Sequence, residues 1–263
     1  MDRIKQIFKK GPVFVAYLTA GDGGIDHTFD AAMALINGGV NILEIGVPFT
    51  DPVADGPVIQ RAAMRALESK TTLDDILSLV KKLREHTDIP LILFSYLNPI
   101  LKASENGFFA NAKEAGVDGI LLVDCPFDEA KEIHQHCIKN HLAPIYVITP
   151  TTSLERLKHI DKHGSGFLYY ACRKGTTGVR NEMPDDFVQK MREIKANVHH
   201  PVVVGFGISN KEMAAEVLQH ADGFVVGSLF VKALEEKVSL DELTFKAKNL
   251  LPDKNSQQEL RIE

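Results

Sequence analysis

The 263-residue sequence predicts an α/β fold, a (β/α)8 TIM barrel. Three observations carry that expectation. Apolar runs of strand length recur eight times, segments with helical spacing lie between them, and the length suits a barrel of about 250 residues. The runs are VFVAYLTA (13–20), ILEIGV (42–47), PLILFSY (90–96), GILLVDC (119–125), PIYVITP (144–150), GFLYYAC (166–172), PVVVGFG (201–207) and GFVVGS (223–228). Their hydrophobicity is nearly continuous, as it must be when helices cover the outside of a parallel sheet and side chains fill its inside.

The intervening segments HTFDAAMALINGG, PVIQRAAMRALESK, LDDILSLVKKLREH, EAKEIHQHCIKN, PDDFVQKMREIKANV and NKEMAAEVLQHA place apolar residues three and four apart, and several close on Gly or Asn. The amphipathic start MDRIKQIFKK adds an N-terminal helix before the first strand. A doubly wound open sheet is the competing architecture. It calls for a glycine fingerprint after the first strand, and GDGGID lacks the GxGxxG spacing. The widest gaps between strand starts fall between 42 and 90 and between 166 and 201. The loops after strands 2 and 6 are therefore elongated, at the rim where a barrel assembles its active site.

Charge is spread evenly and no Pro/Gly/Ser-rich linker divides the chain, so one domain is expected over 1–263, with 252–263 a polar, flexible tail. A formal net charge of -5, with no Lys/Arg cluster among aromatics, argues against a nucleic-acid surface. No secretory signal and no apolar run of membrane-spanning length is present, which predicts a cytoplasmic protein. Cys125, Cys137 and Cys172 are widely spaced, as suits reduced core thiols.

Chemistry concentrates in ILEIGVPFTDPVADGP (42–57). Glu44 interrupts an apolar strand and shares a face with Ile42 and Gly46, near the end that meets the rim. A carboxylate stripped of water must be paired, neutralised or used. The following loop holds Asp51 and Asp55 among Pro48, Pro52, Gly56 and Pro57, and prolines stiffen a loop enough to fix an acid over a pocket. Two carboxyl groups in unlike surroundings can divide acid and base work; Glu44 suits the desolvated, neutral member and Asp55 the wetter, ionised one. Asp51, before a proline, reads first as a turn former.

A second constellation is glycine-rich: RKGTTGVR (173–180), GFGISN (205–210) and GSLF (227–230) follow strands 6, 7 and 8. Barrels bind phosphate with the loops after strands 7 and 8, which makes Gly178, Gly207, Gly227 and Ser228 candidates. No strand carries lysine or histidine, so a strand-borne Schiff base is not expected; Lys174 lies just beyond strand 6, where a solvated charge is the ordinary reading. His159 and His163 are four apart on a helical segment but lack a third ligand, and neither a metal nor an organic cofactor is expected in this chain.

Together LEIGVPFTDPVADGPVIQ (43–60), YLTAGD, SYLNPI, VDCPFDEA, GTTG, GFGIS and VVGS resemble, in order and across nearly the whole chain, the tryptophan synthase alpha-chain family. The resemblance implies a lyase that cleaves indole-3-glycerol phosphate to indole and glyceraldehyde 3-phosphate, in an alpha2beta2 assembly with a beta chain that holds pyridoxal phosphate. It also implies general acid-base catalysis by Glu44, Asp55 beside the indole nitrogen, Tyr169 in the active site, Tyr17 on the indole side, and Gly178, Gly207, Gly227 and Ser228 around the phosphate. Asp51, Pro52 and Pro57 would meet the beta chain. GTTG stands where relatives commonly have GVTG, and GDGG where GDP is frequent. A non-catalytic activator of the beta chain is the alternative function, and another phosphate-sugar enzyme on the same barrel a third.

Overall fold

Eight short strands pair in parallel, each with its sequence neighbours, and the last closes on the first to complete a barrel. A computed structural model of the chain describes residues 2–172 and 183–252. Gly178, Arg173, Lys174, Arg180 and all but the first residue of the expected tail lie outside the described residues. The strands are β1 (Val13–Thr19), β2 (Ile42–Gly46), β3 (Leu91–Ser95), β4 (Gly119–Leu122), β5 (Ala143–Ile148), β6 (Leu168–Ala171), β7 (Val202–Gly205) and β8 (Gly223–Val226). Each falls inside or within a residue of the apolar run that predicts it.

Alternation sorts these runs into two cores. Val13, Val15, Ile42, Ile92, Leu121, Ile145, Val203 and Val225 fill the barrel. Their neighbours Phe14, Leu18, Leu43, Ile45, Leu93, Ile120, Val204 and Phe224 face outward under the helices. Both faces of the sheet are therefore buried, the physical reason for the unbroken apolar runs.

The helices are α1 (Arg3–Lys10), α2 (Ile25–Asn37), α3 (Pro57–Glu68), α4 (Leu73–Arg84), α5 (Leu97–Ser104), α6 (Phe108–Ala115), α7 (Lys131–Lys139), α8 (Leu154–His163), α9 (Phe187–Lys195), α10 (Lys211–Leu218), α11 (Ser228–Glu235) and α12 (Leu240–Lys248). The long second unit contains loop 47–56 and the additional helix α3 before α4, which opens on a capping box of Thr72 and Asp75. The unit after β3 holds two helices, α5 and α6, that the helical spacing did not single out. Both are short, and Pro99 within the first turn of α5 disguises a helix start as a break.

The N-terminal helix closes the bottom of the barrel. Ile4 is buried in the inner core, Ile7 and Phe8 pack beneath it, and the Phe8 and Phe167 rings lie 5.8 Å apart. An ion cluster staples the same end. Buried Asp118 accepts from Arg84 Nη2 at 2.8 Å, Arg3 Nη1 at 3.1 Å and the Leu91 N–H at 3.0 Å. Arg84 also donates to the carbonyls of Thr87, Ile89 and Gly116. Removing the carboxylate strands a half-buried guanidinium, at a cost of about 3–5 kcal/mol. Asp118→Ala should lower the urea midpoint accordingly while leaving turnover of the folded protein unchanged, because this cluster lies at the end of the barrel away from the catalytic rim.

Candidate active site

The register of β1 and β2 places Glu44 beside Tyr17, and that of β2 and β3 places it beside Ile92, so its side chain joins the inner core. Glu44 is 1% exposed, and among the described residues its Oε1 has no hydrogen-bond partner. Burial alone pushes its carboxyl up to about 8, which keeps it protonated at neutral pH.

Asp55 arrives from loop 47–56. The turn at its base is held by the Val53 N–H donating to the Asp51 carbonyl and the Asp55 N–H to the Pro52 carbonyl, in keeping with the turn-forming reading of Asp51. Gln60 Nε2, on the first turn of α3, donates to the Asp55 carbonyl at 2.8 Å. Tyr96, at the end of β3, completes the clamp: its hydroxyl accepts from the Ala54 N–H at 3.0 Å and donates to Asp55 Oδ2 at 2.9 Å. Asp55 Oδ1 has no hydrogen-bond partner among the described residues.

Asp55 is wetter than Glu44 only by a small margin, the residue being 4% exposed. Desolvation raises it to about 6, with the Tyr96 hydrogen bond opposing the rise. The two acids still differ in the expected direction. A shallower burial of Asp55 and the phenol donated to it both act in that direction.

Tyr17 and Tyr169 project from β1 and β6 and occupy matching positions over glycines of the next strand. A Cβ on Gly46 would lie 2.2 Å from the Tyr17 hydroxyl oxygen, and one on Gly205 would lie 2.2 Å from that of Tyr169. Burial raises both phenols, and the charges of Glu44 and Asp55 raise them further, so both tyrosines lie within the field of both acids. Tyr17 also packs edge-on against Phe94, with ring centroids 5.1 Å apart, and its hydroxyl lies 3.3 Å from Thr19 Oγ1. Tyr96, Gln60, Gly46 and Gly205 are the residues that motif reading did not single out. The available signal was Tyr96 at a strand end in SYLNPI.

Of the phosphate candidates, Gly207 takes a left-handed φ of 80° just past β7. The helix that follows, α10, has its N-terminus filled by Asn210, whose side chain accepts from the Met213 N–H. Helix α11 differs: it opens at Gly227 with no side-chain cap, and buried Ser228 is its first residue. Gly227 also permits close packing, because a Cβ there would meet Tyr17 Cβ at 3.3 Å.

Asp51 and Pro57 are exposed and Pro52 half-buried, away from the buried acids. Asp51 and Pro52 line a groove of about 670 Å³ with Phe49, Val53, Gln60 and Met64. Val53 and Met64 there are 67% and 60% exposed. The His159 and His163 rings lie 4.6 Å apart and both pack on Phe127. Among the described residues no group of three or more His, Cys, Asp or Glu side chains is arranged to hold a metal ion, and no helix is long and apolar enough to cross a membrane.

The chain is similar over nearly its whole length to known proteins. Residues 4–260 match the family model described as tryptophan synthase alpha chain. A tryptophan synthase alpha chain of Coxiella burnetii is 55% identical, covering 96% of this chain and 98% of that protein. One of Chlamydia caviae is 49% identical over 96% of this chain and 99% of its own. The crystal structure of tryptophan synthase subunit alpha from Legionella pneumophila superposes with a TM-score of 0.88 at 35% identity, covering 98% and 99% of the two chains. The chain belongs to the tryptophan synthase alpha-chain family.

Proposed function

We propose that Glu44 and Asp55 are the acid-base pair with which this chain performs its family's reaction. As a tryptophan synthase alpha chain the protein is a lyase that cleaves indole-3-glycerol phosphate to indole and glyceraldehyde 3-phosphate. The observation that carries the assignment is the pair of buried carboxyl groups, one neutral and one ionised near pH 7, each with an oxygen that no described residue engages.

The reaction needs one proton delivered to indole C3 and one removed from the side-chain hydroxyl next to the bond that breaks. Protonated Glu44 delivers the first and leaves a cation centred on the ring nitrogen. The Asp55 carboxylate stabilises that cation, and Tyr96 holds it in place. Glu44, now a carboxylate in an apolar barrel and strongly basic, takes the hydroxyl proton. The carbon–carbon bond pair returns to the ring, indole and the aldehyde separate, and Glu44 is protonated as before. Tyr169 and Tyr17 wall the ring. Gly207, Gly227 and Ser228 bind the phosphate at the open start of α11, with Gly178 expected to join them.

The partner in this reading is a beta chain carrying pyridoxal phosphate, assembled as alpha2beta2 in the cytoplasm. Asp51, Pro52 and Pro57 meet it, with the neighbouring groove and exposed Val53 and Met64 supplying apolar contact. Because Asp51 and Asp55 lie on one loop, partner binding and acid placement are coupled. Charge reversal at Asp51 should reduce stimulation of indole release by added beta chain without abolishing the basal rate; unchanged stimulation removes Asp51 from the interface.

Glu44→Gln should slow indole release by about 10²–10⁴-fold. An intact rate in that variant refutes the acid-base assignment. In the wild type, kcat/KM should follow a bell, because Asp55 must be ionised and Glu44 protonated. The rising limb lies near 6 and the falling limb near 8.

The same burial makes Glu44 a liability to the fold. A carboxyl raised in the folded state favours folding fully below its unfolded value of 4.5, and that contribution is lost as pH climbs through about 8. Glu44→Gln should therefore be more stable than wild type at pH 9, with the two curves converging toward pH 4; thermal unfolding across that range reads the difference.

A further inference from the structure

Helix α3 carries the Asp55 loop at its N-terminal end, and its buried face is shallow. Ile59, Ala62, Ala63 and Ala66 are the residues it buries, against β1 and α11. Small side chains allow close approach but interlock little, so a contact of this kind can slide. The polar side of the same helix supplies what the alanines do not.

Arg61 and Arg65 stand one turn apart and converge on Glu235, the last residue of α11. Arg61 makes a two-pronged pair with its carboxylate, Nε and Nη2 both at 2.7 Å, and Arg65 Nη1 donates to it at 2.9 Å. Arg65 then reaches the GDGG loop after β1, where its Nε and Nη2 each donate to the buried Asp22 carboxylate at 2.7 Å. A carboxylate at a helix C-terminus opposes the helix dipole. Glu235 is held there by the two arginines, whose hydrogen bonds bring it down to about 2. Planar two-pronged pairs fix orientation as well as distance, unlike a single exposed ion pair.

The connection just past the far end of α3 abuts the same loop. Gly21, at a φ of 85°, has no room for a Cβ, which would lie 2.0 Å from Thr71 Oγ1. At the near end Gln60 ties α3 to the Asp55 carbonyl. Helix, loop and acid are therefore joined by direct contacts.

We propose that Arg65, together with Arg61, is a positioning residue: the network Asp22–Arg65–Glu235–Arg61 sets the register of α3 and so holds Asp55 at a fixed distance from the start of α11. The inference rests on the roles given above to Asp55 and Ser228. Both arginines are partly exposed and lie outside the buried acid pair. Misplacing a catalytic group by an ångström is enough to slow a reaction on the order of 10²-fold, so a network at this remove can govern turnover.

The test is steady-state indole release from indole-3-glycerol phosphate by the full chain, with unfolding midpoints measured alongside. Arg65→Gln and Asp22→Asn should each lower kcat about tenfold or more with a smaller change in KM, and the double variant should be no slower than the worse single one. Arg65→Lys should not restore kcat, because an ammonium cannot make the two-pronged pair. Lys82→Gln breaks an exposed pair with Asp26 and should leave kcat unchanged. If Arg65→Gln keeps wild-type kcat while Asp55→Asn loses it, the network is structural and the inference is overturned alone. If Asp55→Asn keeps wild-type kcat, the role of Asp55 falls and the inference falls with it. Should Arg65→Gln fold too poorly to assay, Glu235→Gln releases α11 but leaves the Asp22 pair intact; a reduced kcat supports the inference and an unchanged one overturns it.

Discussion

A carboxyl group inside an apolar barrel, paired with no charge among the described residues, is the constraint around which this molecule is arranged. Glu44 lies between Tyr17 and Ile92 on the inner wall, and its rise to about 8 comes from lost hydration alone. A salt bridge there would have kept the group ionised and unable to deliver a proton near neutrality. The described surroundings offer no cation: the inner core below is aliphatic, and Tyr17 and Tyr169 close to the acids are phenols held in their neutral form. The destabilising location and the useful protonation state have a single physical cause.

Asp55 shows the complementary solution. It too is buried, and desolvation raises it, but one phenol donated by Tyr96 offsets part of the rise and keeps it below neutrality. Placing such an acid requires a loop that cannot drift. Loop 47–56 is fixed at its tip by Tyr96 through Ala54 and at its end by Gln60 on α3. The arginine network then fixes α3. Precision at one oxygen thus depends on contacts that run through a loop, a helix and two further segments of the rim.

How much of this was legible in the sequence follows from the range of each interaction. The eight strands could be read because burial on both faces leaves an unbroken apolar signature. Glu44 stood out as a charge within such a run, and Asp55 as an acid in a proline-stiffened loop. The depth to which Asp55 is buried and its hydrogen bond from Tyr96 were not legible, because the phenol comes from a different strand and no local pattern announces that contact. Helices α5 and α6 were missed because each is barely two turns long and opens without the side-chain cap that marks the equally short α1 and α10. Nothing local marks Arg61 and Arg65, since their partners lie at positions 22 and 235. Short-range signals give the frame; the groups that tune and align the acids are long-range.

The two ends of the barrel use ionic contacts for different purposes. At the bottom, Asp118 gathers Arg84, Arg3 and a strand amide where no chemistry occurs, and the effect is to seal the base under α1. At the top, the Asp22 and Glu235 pairs sit outside the acids and act on alignment, while the acids themselves have no cationic partner among the described residues. The division is physically necessary. An arginine close enough to hold Glu44 directly would hold it ionised, and one on Asp55 would engage the oxygen that substrate must reach, so orientation has to be imposed from a distance. Tyrosines over Gly46 and Gly205 meet the same requirement within the cavity, filling the space above each glycine with a group that shapes the wall yet carries no charge.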